Sequence, residues 1–249
     1  TYAADVANVF HGVNEVIPVR GFNYRVAGIV PYHKDHPHQP IIGTEMGSTV
    51  TTRGIYIKDT VNAYLPDEDL TAPWWANTAE QWWPLAADND WWMGGFVWTG
   101  FDYRGETTPY EWPNISSHFG LMDVCGFPKN IYYYYQSWWT DKDVLHISPH
   151  WNWSGKEGTP IDVWVNSNAD NVELFLNGTS LGKKDMPRNG HLNWMVNYAP
   201  GTLEAIAFKK GRKLQTKIET TGNPEEVVIS PYKPTMQADG KDETVINSR

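Results

Sequence analysis

Pro40-Ile41-Ile42-Gly43-Thr44-Glu45-Met46-Gly47-Ser48 decides how the first half of this chain folds. A short apolar run ends on a carboxylate and passes at once into a small-residue turn. It therefore reads as a buried strand whose last side chain, Glu45, points out at the strand's C-terminal end. A salt bridge from Glu45 to Arg53 is the plain structural alternative. Upstream, Gly21-Phe22-Asn23-Tyr24 reads as another short strand, separated from the first by an amphipathic stretch from Val26 to His33. Downstream, Met93-Gly94-Gly95-Phe96-Val97-Trp98 reads as a third strand, preceded by a Trp-rich helix from Ala72 to Asp90. Strand, helix, strand, helix, strand is the parallel crossover pattern.

From Val144 onward the periodicity changes to two. Ile161 to Val165, Val172 to Leu176, His191 to Tyr198 and Leu203 to Phe208 alternate, and Asn177-Gly178 and Lys210-Gly211 supply turn signals between runs. This reads as an immunoglobulin-like β-sandwich over 143–222. After Pro224 the chain turns polar, with a brief Val227-Val228-Ile229 strand. Ala238 to Ile246 looks like the opening strand of a further domain, so 223–249 reads as a linker plus a domain start without strand partners. The expected fold class is α/β plus all-β: the C-terminal part of a (β/α)₈ TIM barrel over 1–142, strands 6 to 8, followed by the sandwich. A whole barrel needs roughly 250 residues, so the three strands are expected to be the last part of one that begins upstream.

Composition narrows function. The 249 residues carry 20 Lys plus Arg against 29 Asp plus Glu, a formal net charge of −9. No basic stretch offsets that charge, which argues against nucleic acid as a partner. No run approaches the roughly 18 apolar residues of a membrane helix, so no membrane partner is expected. Thr1 to Asp5 lacks the basic-then-apolar order of a signal peptide, and the missing Met suggests a piece cut from a longer chain. One cysteine, Cys125, forms no internal disulfide, which fits the periplasm or exterior of a bacterium as well as the cytoplasm. Fourteen tryptophans are either core payload or flat platforms for sugar rings.

Four blocks stand in one order: Gly21-Phe22-Asn23-Tyr24-Arg25, then His36-Pro37 with Pro40 to Glu45, then Arg53-Gly54-Ile55-Tyr56, and finally Gly94-Gly95-Phe96-Val97-Trp98 running on to Glu106. Together they resemble glycoside hydrolase family 2, the β-galactosidase and β-glucuronidase family. The following sandwich resembles the one after the barrel in Bacteroides-type β-galactosidases. The resemblance implies that Glu45 is the nucleophile ending the seventh barrel strand and that Tyr24 contacts it from the end of the sixth. It further implies that Trp98 is the floor under the sugar, with Gly94 and Gly95 leaving space for close approach. Asp102, Arg104 and Glu106, in the loop after the eighth strand, either reach substrate hydroxyls or pair with one another. A retaining glycosidase needs two carboxyl groups about 5 to 5.5 Å apart, one attacking the anomeric carbon and one protonating the leaving oxygen.

One part of the family pattern is missing. The acid/base glutamate, which in the family follows an Asn near the end of the fourth strand, has no match; Asn14-Glu15 has the dipeptide but reads as a solvent-facing loop. Ser48 stands where some family β-galactosidases carry His, which leaves the sugar open. His33, His36 and His38 have a metal-like spacing on a Pro-rich loop without further ligands, so neither metal nor cofactor is expected. The expected function is a fragment of a retaining exo-β-glycosidase, first of all a β-galactosidase, acting on an oligosaccharide or glycoside with the rest of its parent chain. A β-glucuronidase, a noncatalytic carbohydrate-binding or scaffold module, and a whole enzyme pairing Glu45 with Asp102 or Glu106 are the alternatives. A homo-oligomer is compatible with all of these.

Overall fold

The computed structural model describes residues 2, 3 and 16–248. Asn14-Glu15 lies outside the described residues. The chain divides into two compact units, Thr1–Glu219 and Thr220–Arg249.

In the first unit, β1 (Tyr2–Ala3), β2 (Arg20–Asn23), β3 (Ile41–Gly47) and β4 (Trp92–Trp98) form one parallel sheet in that order. The sheet thus has one more strand than the three legible crossover runs. Parallel neighbours need a crossover, and α1 (Val26–Asp35) and α2 (Ala79–Ala87) supply two of them. The helix expected from Ala72 starts only at Ala79. Thr78 and Gln81 form a capping box there, with the Thr78 amide donating to Gln81 Oε1 at 2.9 Å. The Asp69 carboxylate takes the Ala79 and Glu80 amides at 2.9 and 3.0 Å. With the Gln81 amide held by the Thr78 side chain, four of the helix's orphan donor groups are settled at this point, and the residues before it, with Pro73 among them, turn instead.

One side chain layer closes the sheet. Phe22, Ile41, Met46 and Trp92 pack against Ile29 of α1, Trp82 of α2 and Ile131 and Tyr134 of α3 (Asn130–Trp139), all buried. The strands β3 and β4 come unusually close. A Cβ at Gly95 would lie 3.0 Å from the Gly43 carbonyl oxygen and 3.1 Å from Met46 Cγ, so Gly95 serves the contact between strands rather than the approach of a substrate. A two-residue hairpin, β5 (Tyr103–Arg104) with β6 (Ser116–Ser117), follows.

The sandwich faces a four-stranded sheet, ordered β10-β9-β12-β13, with a three-stranded sheet, β11-β8-β7. Its strands are β7 (Leu145–Ser148), β8 (Pro160–Ser167), β9 (Asn171–Leu176), β10 (Thr179–Asp185), β11 (Leu192–Asn197), β12 (Thr202–Lys209) and β13 (Arg212–Glu219). All pairings are antiparallel. The two turn signals act through positive φ at both central residues: Asn177 and Gly178 at 50° and 79°, Lys210 and Gly211 at 49° and 80°. Inward positions such as Val163, Val165, Leu174, Leu203 and Ala205 are fully buried. This core and the helix layer lie within the same compact unit.

The second unit holds β14 (Ile229–Pro231) paired antiparallel with β15 (Ile246–Ser248). The closing strand expected to stand alone therefore has a partner. The Lys233–Asp242 ion pair at 2.6 Å helps hold the intervening turn.

Candidate active site

Parallel strands in one sheet end on the same edge, and the register here is specific. Asn23 lies opposite Glu45, and Gly47 opposite Trp98. Tyr24, the residue after β2, carries on the ladder, its amide donating to the Glu45 carbonyl at 2.8 Å. Tyr24, Glu45 and Trp98 are thus brought together at the C-terminal edge.

The side chains then form a connected network. The Tyr24 hydroxyl donates to Glu45 Oε1 at 2.6 Å, and Asn23 Nδ2 lies 3.4 Å from Oε2. Asn23 is itself oriented by Thr44 Oγ1, which donates to Asn23 Oδ1 at 2.7 Å. Ser48 Oγ lies 2.8 Å from the Tyr24 hydroxyl and 3.1 Å from the Trp98 carbonyl oxygen. Two hydroxyl protons serve three contacts. With Tyr24 donating to the carboxylate, the Ser48 proton points to the Tyr24 oxygen at the shorter distance and leans to Trp98 at the longer one. Burial, and next the Glu45 carboxylate, raise the Tyr24 pKa well above the phenol range, so the phenol keeps its proton and remains a donor. Outside this group, the Trp98 indole is 37% exposed, with its Nε1 3.3 Å from the Tyr103 hydroxyl.

The remaining sequence-selected residues go elsewhere. Arg53 pairs with Asp123 at 2.6 Å, not with Glu45. Asp102 neither faces solvent as a substrate contact would nor pairs with Arg104 or Glu106. Its Oδ1 accepts from Lys129 Nζ at 2.7 Å and from the Gly120 amide at 2.8 Å. Lys129 is fully buried and also donates to the carbonyls of Thr51 at 2.7 Å and His118 at 3.1 Å. Three acceptors require three protons, so Lys129 is an ammonium although burial lowers its pKa. Arg104 and Glu106 are exposed. Among the described residues neither Asp102 nor Glu106 hydrogen-bonds Glu45. His33 stacks on Trp91 and His36 on Tyr32, with centroids 3.9 and 4.2 Å apart.

Sequence reasoning passed over Asn23, Trp75 and Lys129 as site residues, and it singled out Ser48 for sugar preference rather than for its contact with Tyr24. Asn23 adjoins Tyr24 within a quoted block, which was the available signal. Trp75, whose ring sits edge-on to Tyr24 at 4.9 Å, was absorbed into the over-long helix. Nothing local marks Lys129.

A carboxylate with a donor on each oxygen, beside a partly exposed indole face, suits chemistry at the anomeric carbon of a sugar ring. The relatives agree with that geometry. Across 91% of the chain, the sequence is 44% identical to the β-galactosidase BoGH2A of Bacteroides ovatus. Over most of its length the chain is similar to members of glycoside hydrolase family 2. It is also 40% identical over 179 residues to a putative β-glucuronidase of Formosa agariphila. The crystal structure of a β-glycosidase from Bacteroides vulgatus superposes with a TM-score of 0.80 at 31% identity, covering 90% of this chain and 33% of that one. A family model described as a domain of unknown function (DUF4982) matches residues 158–215, within the sandwich. The chain spans 29% of the length of BoGH2A and 17% of the Formosa protein.

Proposed function

We propose that this chain is the nucleophile-bearing segment of a retaining exo-β-glycosidase, foremost a β-galactosidase, with β2, β3 and β4 as strands 6 to 8 of a (β/α)₈ barrel. The observation that carries this reading is the Tyr24 hydroxyl at 2.6 Å from the Glu45 carboxylate, at strand ends that also present Trp98. Edge strand β4 supports the barrel, since Phe96 and Met93 are 66% and 59% exposed along it. Further strands would cover that edge.

In this mechanism Glu45 attacks the anomeric carbon of a terminal β-linked sugar lying on Trp98, and the aglycone oxygen leaves with a proton from a second carboxyl group. Water then cleaves the glycosyl-enzyme and frees Glu45. Tyr24 and Asn23 hold the carboxylate ionised and oriented during attack. The proton donor is assigned to the remainder of the parent chain, because Asp102 is committed to Lys129. Loss of that acid typically costs roughly 10² to 10⁴ in rate, so the 249-residue chain alone is expected to leave unactivated disaccharides intact.

The similarity to proteins named β-glucuronidases supports a second sugar, and parallel assays on aryl β-galactosides and β-glucuronides separate the two. The test of the reaction itself is a 2-deoxy-2-fluoro glycoside trap on the full-length protein, followed by peptide mass spectrometry. Label on the Glu45 peptide, and its loss in Glu45→Gln together with hydrolysis, is expected. Label on another residue, or full turnover by Glu45→Gln, overturns the proposal.

A further inference from the structure

Of the large apolar side chains left in solvent, Trp74 stands beside the candidate site and is 83% exposed. It belongs to the loop between β3 and α2, whose two adjacent indoles diverge. Trp75 turns inward onto Tyr24 and Phe119, at centroid distances of 4.9 and 5.8 Å. Trp74 turns outward, with the Arg25 guanidinium 5.6 Å from its ring centroid. Tyr24 and Arg25 are consecutive residues at the end of β2, and so are the two indoles that cover them.

The backbone beneath this arrangement is unusual. Tyr24 and Arg25 have φ of 55° and 53°, two successive left-handed residues without a glycine. That conformation is unfavourable for residues with a Cβ and persists only where surrounding contacts enforce it. One of the two side chains so placed is the donor to Glu45. The other, exposed, reaches the outward indole.

Sheet order fixes the sides. Trp98 ends β4, on one flank of Glu45, while Arg25 and Trp74 lie at the end of β2, on the other. Strands two apart in a sheet are separated by about 9 to 10 Å, wider than one pyranose ring. A sugar lying on Trp98 therefore does not also cover Trp74.

Resting on the glycosidase reading above, we infer that Trp74 and Arg25 form the platform for the leaving group: a second pyranose ring, with its C–H face on the indole and its hydroxyls on the guanidinium. The flat ring supplies area at little entropic cost, and the cation seated against it presents a fork of donors already positioned. The substrate class that follows is a β-linked di- or oligosaccharide rather than a glycoside of a small alcohol.

A leaving-group contact acts during formation of the glycosyl-enzyme and is gone when water cleaves it. The test compares, in the full-length enzyme, kcat/KM for a β-linked disaccharide with kcat/KM for the matching glycosyl fluoride, whose leaving atom is too small to reach Trp74. In Trp74→Ala the disaccharide-to-fluoride ratio is expected to fall about 10- to 30-fold, as for loss of one well-packed aromatic contact. Trp74→Phe should restore most of it, and Arg25→Met should lower the same ratio. An unchanged ratio overturns the inference, whether both substrates hold their rates or both decline together. Fluorosugar labelling of a residue other than Glu45 would instead sink the glycosidase reading, so the two failures are told apart.

Discussion

Replacing Lys129 with Met removes one charge while keeping an unbranched apolar stem of similar reach. The ammonium it deletes is fully buried and has three acceptors, at 2.7, 2.7 and 3.1 Å. Afterwards Asp102 keeps only the Gly120 amide at 2.8 Å, and the His118 carbonyl keeps the Thr51 amide at 3.1 Å. Breaking a buried ion pair from one side costs about 3 to 5 kcal/mol. Escape by protonation sets the upper limit, because burial already raises the Asp102 pKa, and without Lys129 it rises further. The expected loss is therefore about 3 to 4 kcal/mol at pH 7.5, and it shrinks toward pH 5 as the stranded carboxylate takes up a proton. Denaturant unfolding followed by tryptophan fluorescence at both pH values measures it. Adding Asp102→Asn to Lys129→Met should recover about 1.5 kcal/mol or more at pH 7.5. A loss below about 1 kcal/mol, or one equal at both pH values and indifferent to Asp102→Asn, would refute the reasoning and leave Lys129 as packing alone.

Three more outcomes are expected. Tyr24→Phe should lower kcat/KM of the full-length enzyme about 10- to 100-fold on aryl glycosides, the worth of a hydrogen bond to a charged group; a change under twofold would remove Tyr24 from the reaction. Burial pushes the Asp67 carboxyl up to about 7, so its stabilising neutral form is lost as pH rises from about 4 through 7. Asp67→Asn should gain on the wild type between pH 5 and 8, by about 1 to 3 kcal/mol in urea unfolding; parallel curves would contradict the burial. Burial pushes His118 and His146 down to about 4, which imposes the opposite slope below about 6.5, but they are common to both proteins and cancel. Gly95→Ala forces a Cβ against Gly43 and Met46 and should cost about 1 to 3 kcal/mol in unfolding free energy; neutrality would mean that β3 and β4 do not meet there.

The strands that carry the candidate site were legible because buried parallel strands read as apolar runs, although β3 runs on to Gly47, so Glu45 stands two residues before its end, with Tyr24 just past β2 and Trp98 closing β4. The sandwich was legible for a different reason, since an alternating pattern broken by Asn-Gly and Lys-Gly leaves few other folds. Length and direction were harder. The helix before β4 was read too long because Trp and Ala recur without regard to the true start, which a tertiary partner, the Asp69 carboxylate, sets from ten residues away. The partner of Asp102 was not legible, for a related reason. The aspartate's place in a loop beside the site suggests solvent, and only the fold brings Lys129, 27 residues on, into contact with it.

The tryptophans are largely core payload. Trp82, Trp92, Trp151, Trp153, Trp164 and Trp194 are buried, and Trp75, Trp83, Trp91 and Trp138 are half-buried. Several do their work where the sandwich meets the helices. Trp83 Nε1 lies 3.2 Å from Asn189 Oδ1, and the Tyr134 hydroxyl donates to the Asn189 carbonyl at 2.6 Å. Trp138 Nε1 lies 3.2 Å from the Gly190 carbonyl. His191 meets Glu80 at 2.5 Å and stacks on Trp164 at 3.6 Å. Aliphatic side chains would exclude water from this face but would let the two layers slide. Indole and phenol rings give comparable area together with a directed N–H or O–H, which fixes the register of contact. The contacts converge on α2 and α3, and α2 follows directly from the loop that lays Trp75 over Tyr24. Holding that helix against the sandwich therefore holds the ring that packs the Glu45 donor, and the sandwich becomes part of what keeps the carboxylate in place.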